Sequence, residues 1–170
     1  GLAALAHGGP VRVYISDLNP VTLDNIAYNI AINQQSQAAK EECVSSASPL
    51  ALDWGDESTW PPEKVDVVLG SDLIYQTSVA PILQHVLAGV LKDGGSFFYV
   101  CPESGRDGLE AFLGGLSAAG LELVESRPAP RSYVSNPLVE ADDDQCLLHF
   151  VDLASNKFML HEFRRIARHT

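Results

Sequence analysis

Cysteine is scarce in this chain, at Cys43, Cys101 and Cys146 only. No two of them form a Cys-x-x-Cys pair, and an odd, widely spaced set supports neither a disulfide framework nor a structural zinc centre. His161-Glu162 does not extend to the His-Glu-x-x-His zinc motif, so no metal is expected. Basic residues are also few: 11 Lys and Arg stand against 22 Asp and Glu, a net charge of −11. Nucleic acid is bound largely by Lys and Arg on phosphate, so it is excluded as the expected partner. A basic protein, by contrast, would be drawn in on approach. No run nears the ~20 apolar residues of a membrane helix, and no signal peptide is visible. These absences point to a reducing, cytoplasmic setting away from membranes. What is present is ordinary for a globular domain with a core: 170 residues, 46% hydrophobic and 19% charged, a length that fits one domain.

Strand-like and helix-like segments alternate along the chain. Val11-Arg-Val-Tyr-Ile15 is short and β-branched. Asp17-Leu-Asn-Pro20 then reads as a helix start, with Asn19 as cap and Pro20 in the first turn. Leu23, Ile26, Ala27, Ile30 and Ala31 recur at helical spacing, with Asn25, Asn29 and Asn33 on another face. Gln34 to Ser48 lacks a hydrophobic period and reads as a frayed end and loop. Pro49-Leu-Ala-Leu-Asp53 is a short strand, and Trp54 to Lys64 a loop. Val65-Asp-Val-Val-Leu69 reads as a buried strand.

Val79, Ile82, Leu83, Val86, Leu87, Val90 and Leu91 trace a helical stripe, which Lys92-Asp-Gly-Gly95 ends. Ser96-Phe-Phe-Tyr-Val100 is a strand. Leu109, Phe112, Leu113 and Leu116 mark another helix, ended by Gly120, and Leu121 to Ser126 a further strand. Pro128 to Asp144 is Pro-rich, then acidic, and reads as a long loop. Cys146 to Leu153 and Lys157 to Ile166 look like a closing hairpin. This pattern predicts an α/β fold: a Rossmann-like, mostly parallel sheet with helices on both faces and an antiparallel C-terminal hairpin edge.

Sheets of that kind bind ligands beyond the carboxyl ends of their strands. Three strands are followed there by suitable groups: Asp17, Asp53-Trp54, and Ser71-Asp72 with Tyr75 close behind. An acid at the first position can accept from both ribose hydroxyls, or can simply sit at the positive end of the next helix. An indole with a neighbouring acid can stack on a purine and accept from its amine, or can be a packed loop residue. Ser71, Asp72 and Tyr75 can form a site at the mouth of the sheet, or a helix cap beside a core tyrosine. Taken singly, the structural alternatives hold for the second and third; the three together favour a site.

Ile15-Ser-Asp-Leu18, Leu23-Asp-Asn-Ile-Ala-Tyr-Asn-Ile30, Leu52-Asp-Trp-Gly-Asp56 and Leu69-Gly-Ser-Asp-Leu-Ile-Tyr75 resemble the seven-β-strand methyltransferases. More narrowly, Asp72-Leu-Ile-Tyr75 resembles the Asp-x-x-Tyr signature of a eukaryotic protein-lysine methyltransferase family. The resemblance covers residues 1 to about 120 and is weak from Pro128 onward. It implies S-adenosylmethionine as cofactor, with Asp17 on the ribose, Leu18 beside it, Asp53 and Trp54 bordering the adenine, and Ser71 near the methionine portion. It further implies a protein substrate, with Asp72 and Tyr75 as the catalytic pair that shapes the approach of its lysine. Gly1-Leu-Ala-Ala-Leu5 looks like the last glycine of the family's Gly-rich turn and the helix after it. Residues 1–170 are thus expected to be a single methyltransferase domain lacking the first strand and most of that turn.

Two other functions fit less of the sequence. A different methyl acceptor is one, although the Asn-Pro-Pro-Tyr motif of base-amine methylation is absent at 71–75. A degenerate, cofactor-free binding module is the other, favoured by the incomplete Gly-rich turn. A dehydrogenase stands further off, because the visible glycines do not complete a dinucleotide fingerprint.

Overall fold

The computed structural model describes residues 1–7, 9, 12–37, 46–130 and 157–167. They group into two compact units, Gly1–Pro62 and Glu63–Thr170.

The first unit holds α1 (Leu2–His7), β1 (Arg12–Asp17), α2 (Pro20–Gln37) and β2 (Ser46–Ala51). β1 and β2 pair in parallel, from Arg12 opposite Ser46 to Asp17 opposite Ala51. A parallel pair needs a crossover, and α2 supplies it. The helix starts as its sequence dictates. The Asn19 side chain accepts from the Val21 amide at 2.9 Å and its carbonyl from the Leu23 amide at 3.0 Å, satisfying donors that a helix N-terminus otherwise leaves open. Ile30 is buried and Leu23 and Ile26 are partly so, while Ala27 and Ala31 are exposed. The asparagines at four-residue spacing form a ladder: Asn29 Nδ2 donates to the Asn25 carbonyl at 2.8 Å, and Asn33 Nδ2 to that of Asn29 at 2.8 Å. β2 begins at Ser46 and ends at Ala51, so Asp53 and Trp54 stand in the loop beyond it.

The second unit is a sheet of order β3-β4-β6-β5, made of β3 (Val65–Ser71), β4 (Leu91–Pro102), β5 (Leu121–Pro128) and β6 (Phe158–Arg165), with helices α3 (Ala80–Val90) and α4 (Leu109–Gly115). β3 and β4 run parallel, as their sequences predict, and β6 is antiparallel to both β4 and β5. The expected antiparallel C-terminal edge is therefore present, with β6 as its inner strand and β5 as its outer one. β3 is not the buried strand that its apolar run suggests: Val67 and Leu69 are exposed, because the helices that cover this sheet pack on its other face. The proposed first arm of the hairpin, residues 146–153, lies outside the described residues. Among the described residues β1 pairs with β2 alone and β3 with β4 alone.

The boundary after α3, like that of β2, differs from the sequence reading. Lys92-Asp-Gly-Gly95 does follow the helix, but β4 already begins at Leu91. Leu91 pairs with Val65 and Ser96 with Val67, so residues 92–95 bulge out of the ladder. Gly94 there takes the left-handed φ of 78°, a conformation with no steric cost for glycine.

The core of this unit lies on one face of the sheet. Alternation along β4 buries Phe97, Tyr99 and Cys101, as the two-residue period of a strand requires. Leu83, Val86, Leu87 and Val90 cover them from α3, and Leu109, Phe112 and Leu116 from α4 and its end. Phe97 stacks with Tyr99 at 5.5 Å between centroids, and Phe112 meets both rings edge-on at 6.3 and 5.5 Å. Gln84 fastens the helices together, donating to the Ala111 and Phe112 carbonyls at 3.0 and 2.9 Å. Buried Arg165 closes the turn after α4, donating to the Ala119 carbonyl at 2.7 Å.

His161 is buried beside Phe163 on β6, and burial pulls its pKa below the usual 6.5. The folded chain thus resists a proton that the unfolded chain takes up near the ordinary value. Stability should be unaffected by this group above pH 6.5 and should fall as pH drops from there toward the folded pKa. Urea melts at stepped pH check this. His161→Gln should flatten the slope between about pH 6.5 and 5, and an unchanged slope would clear His161 of the effect. No helix among the described residues is long and apolar enough to cross a membrane.

Candidate active site

At the carboxyl end of the first unit's sheet, Asp17 and the Asp53-Trp54 loop are neighbours. The Leu52 amide donates to the Asp17 carbonyl at 3.1 Å, so β2 leaves the sheet beside the end of β1. Asp17 is half-buried, and its Oδ1 accepts from the Asn19 amide at 2.8 Å. Among the described residues its Oδ2 takes no protein donor. Both readings of this acid are thus compatible with its geometry: one oxygen steadies the start of α2 and the other is open to a ligand. Leu18 next to it is 59% exposed. Gly1 opens α1 against Ile15, where a Cβ would lie 2.6 Å from Ile15 Cδ1.

The Asp53 loop is compact. Asp53 Oδ1 accepts from the Gly55 amide at 2.8 Å, and its carbonyl accepts from Thr59 Oγ1 at 3.2 Å and from the Trp60 indole at 3.1 Å. Asp56 caps the short turn Glu57–Thr59 through Ser58. The sequence singled out Trp54 but not Trp60, whose indole N–H anchors the loop that presents Asp53 and half-buried Trp54.

In the second unit β3 ends at exposed Ser71, and Asp72 turns off the strand with a left-handed φ of 47°. Asp is one of the few residues that tolerate this region, and such outliers gather at functional sites. The turn is pinned because the Asp72 amide donates to the Val100 carbonyl at 2.8 Å and the Leu73 amide to the Tyr99 hydroxyl at 3.2 Å. Ile74 is fully buried, which anchors the segment, while Tyr75 is 59% exposed. The three-residue spacing brings the Tyr75 hydroxyl to Asp72 Oδ2, to which it donates at 3.1 Å. Tyr75 is therefore not a core tyrosine.

Arg106, which the sequence reading did not single out, completes this cluster. Its Nε donates to Asp72 Oδ1 at 2.8 Å and its Nη2 to Oδ2 at 2.6 Å. Its Cζ lies 4.9 Å from the centre of the Tyr75 ring. The bidentate fork is the strong geometry for Arg and carboxylate. By contrast, Lys92 and Asp66, at 2.8 Å, are a largely exposed pair of the kind worth ~0–1 kcal/mol. Arg106 holds the Asp72 carboxyl below the usual carboxylate range against a modest opposing effect of burial, and Tyr75 helps. Pairing with Asp72 likewise raises Arg106.

The loop that carries Arg106 is itself fastened to the motif segment. Asp107 accepts from the Thr77 hydroxyl at 2.8 Å and from the Thr77 amide at 3.1 Å. Gly108 follows with φ 83°, and a Cβ there would lie 2.6 Å from Thr77 Cα. Buried beneath are the Tyr99 hydroxyl, pushed up to about 12 mainly by burial, and the Cys101 thiol, pushed up to about 11 by burial and then by the charge of Asp72.

The order of strands and helices along the chain, with acids and aromatics following strand ends and an antiparallel inner strand in the second unit's sheet, is that of a methyltransferase fold, and solved structures agree. An O-methyltransferase from a trans-AT PKS multienzyme of Brevibacillus brevis, in complex with S-adenosyl-L-homocysteine, aligns with TM-score 0.60 at 11% identity, over 91% of this chain and 59% of that one. The N-methyltransferase NodS of Bradyrhizobium japonicum WM9 aligns with TM-score 0.53 at 16% identity, over 91% of this chain and 66% of that one. At such identity the likeness concerns the fold.

The sequence profile of the lysine methyltransferase family matches residues 1–119, and the chain belongs to that family. The resemblance read from the motifs is borne out. The protein-lysine N-methyltransferase EFM3 of Chaetomium thermophilum is 30% identical over 132 residues, 72% of this chain and 38% of that protein. The EEF1A lysine methyltransferase 3 of Mus musculus is 30% identical over 113 residues, 66% of this chain and 44% of that protein. The chain thus spans about two-fifths of the length of these curated relatives.

Proposed function

We propose that this chain belongs to a cytoplasmic enzyme that transfers a methyl group from S-adenosylmethionine to a lysine side chain of a basic protein. The observation that carries this reading is the Asp72–Tyr75 pair, held at the end of β3 with its ring exposed, in a chain of the lysine methyltransferase family. The net charge of −11 supports a basic substrate.

The residues present fit the cofactor. Asp17 offers an open carboxylate oxygen for ribose hydroxyls, Asp53 an acceptor and Trp54 a ring face for adenine, and Leu18 an exposed apolar surface. Gly1 lies close against β1. In the second unit Ser71 ends β3, the position that the family resemblance gives to the methionine portion. S-adenosylmethionine, when bound, would supply a methyl group whose bond to sulfur would break as the bond to nitrogen forms, the electron pair staying on sulfur. The residues of the chain position the amine. The lysine has to lose a proton first, because ammonium has no lone pair. The Tyr75 ring can receive the cationic form, and Asp72, fixed to its hydroxyl, orients the amine. No described residue is assigned as a general base; the proton passes to solvent.

The test is radiolabel transfer from S-adenosylmethionine to protein in cell extract by the full-length protein, with the products hydrolysed. Methyl-lysine is the expected product. Label confined to arginine, histidine, nucleic acid or small metabolites would refute the lysine assignment.

A further inference from the structure

The reaction proposed above, on which this inference rests, sets a problem of charge. A carboxylate within about 4–6 Å of an amine favours the ammonium form and raises its pKa by roughly 1–3 units. Lysine already starts near ~10.4. Below that value each further unit removes nine-tenths of the neutral amine on which methyl transfer depends. A bare Asp72 at the acceptor position would therefore oppose the step it serves.

In the structure Asp72 is not bare. Both its oxygens accept from the Arg106 fork, at 2.8 and 2.6 Å. Guanidinium remains cationic throughout the working range, so the pair carries no net charge. The Tyr75 hydroxyl spends its proton on Asp72 Oδ2, which leaves its oxygen lone pairs as acceptors for an amine N–H. Other groups do not supply the missing cation. Glu103 and Asp107 on the same loop are acids, and Asp107 is committed to Thr77. Tyr99 and Cys101 of β4 stay protonated to about 12 and about 11, and buried His161, opposite Tyr99, is held neutral. Lys157, whose carbonyl accepts from the Glu103 amide, has an exposed side chain. Among the described residues only Arg106 pairs with Asp72.

We propose that Arg106 is a positioning residue that cancels the charge of Asp72, so that the target lysine is received by the Tyr75 oxygen and ring beside a neutral pair. Its loop is built to deliver that cation. Asp107 ties the loop to Thr77, and Gly108 brings the backbones into contact.

The experiment follows initial rates of methyl-lysine formation by the full-length protein on heat-treated cell extract, added until the rate no longer rises, where the rate reports kcat and so the ionisation of the bound lysine, between about pH 6 and 10. Arg106→Gln should move the alkaline rise of the profile upward by about one pH unit or more. Arg106→Lys, which keeps the charge, should leave it near that of the unaltered protein. Asp72→Asn combined with Arg106→Gln removes both charges and should return the profile to its original position at a lower rate, whereas Asp72→Asn alone leaves the Arg106 cation uncancelled and should move the rise downward; an unmoved rise in that variant would overturn the inference even if Arg106→Gln alone folds poorly. A rate lost equally at every pH, or a profile that stays in place in both Gln variants, would overturn the inference. Absence of methyl-lysine with the unaltered protein would instead remove the acceptor reading, and this inference with it.

Discussion

Replacement of Asp72 by alanine should lower methyl transfer on the order of 100-fold, the scale on which misplacement of a reacting group is felt. Binding of S-adenosylmethionine should barely change. Three effects act together at one carboxylate. The Tyr75 hydroxyl loses its acceptor, the Arg106 fork loses both of its oxygens, and the backbone loses a residue suited to φ 47°. In the proposed reading each bears on where the amine rests and none on the cofactor. A fall in kcat with intact cofactor affinity is the signature of a group acting on the acceptor. Asp72→Asn keeps the backbone conformation and one acceptor oxygen, so it should be milder than alanine. Tyr75→Phe should be milder too, since only the hydroxyl goes. Calorimetry for cofactor and label transfer for turnover separate the two quantities. Equal losses in both would move Asp72 from the acceptor to the cofactor or to the fold.

Asp17→Ala has the opposite profile. It should weaken S-adenosylmethionine binding by roughly 1.5–3 kcal/mol, about tenfold or more, the usual worth of hydrogen bonds to a charged acceptor. The structure adds a complication that the sequence did not reveal. Oδ1 of this acid also takes the Asn19 amide at 2.8 Å, so alanine loosens the start of α2 as well. Asp17→Asn can still accept from that amide while losing its charge toward the ribose. If Asn and Ala weaken binding alike while only Ala lowers the melting temperature, the ribose role and the capping role are both established. An unchanged dissociation constant by calorimetry in both would leave Asp17 with the structural role alone.

Local patterns carried the sequence reading a long way. The Asn19 cap, the period of α3 and the parallel pairing of β3 with β4 follow from short-range rules: a side chain that satisfies the next turn's amides, a stripe that must be buried, and strands that alternate with helices. Asp72 and Tyr75 were legible because they are neighbours in a motif. Arg106 was not, because 34 residues separate it from Asp72, and nothing in Ser-Gly-Arg-Asp-Gly announces a fork aimed at another strand's end. Trp60 escaped for a related reason. Its indole serves a backbone carbonyl seven residues back, and carbonyls leave no mark in a sequence. The bulge at 92–95 depends on strand register, which the glycines there permit but do not specify.

Gly108 determines how this site can drift over generations. Any side chain there would have to adopt φ 83° and push into the Thr77 backbone, where a Cβ finds 2.6 Å. Its neighbours Glu103, Ser104 and Gly105 border the same loop, and Gly105, also at positive φ, has open space around its Cβ position. Changes at Glu103 and Ser104, on the rim of the loop, therefore leave the cation at 106 in register with Asp72, whereas a side chain at Gly105 meets no neighbour but has to adopt φ 84°. A single methyl at 108 would lift the whole rim at once. The tolerance of the loop for change and its intolerance at one position have the same origin, a place where two backbones touch with no side chain between them.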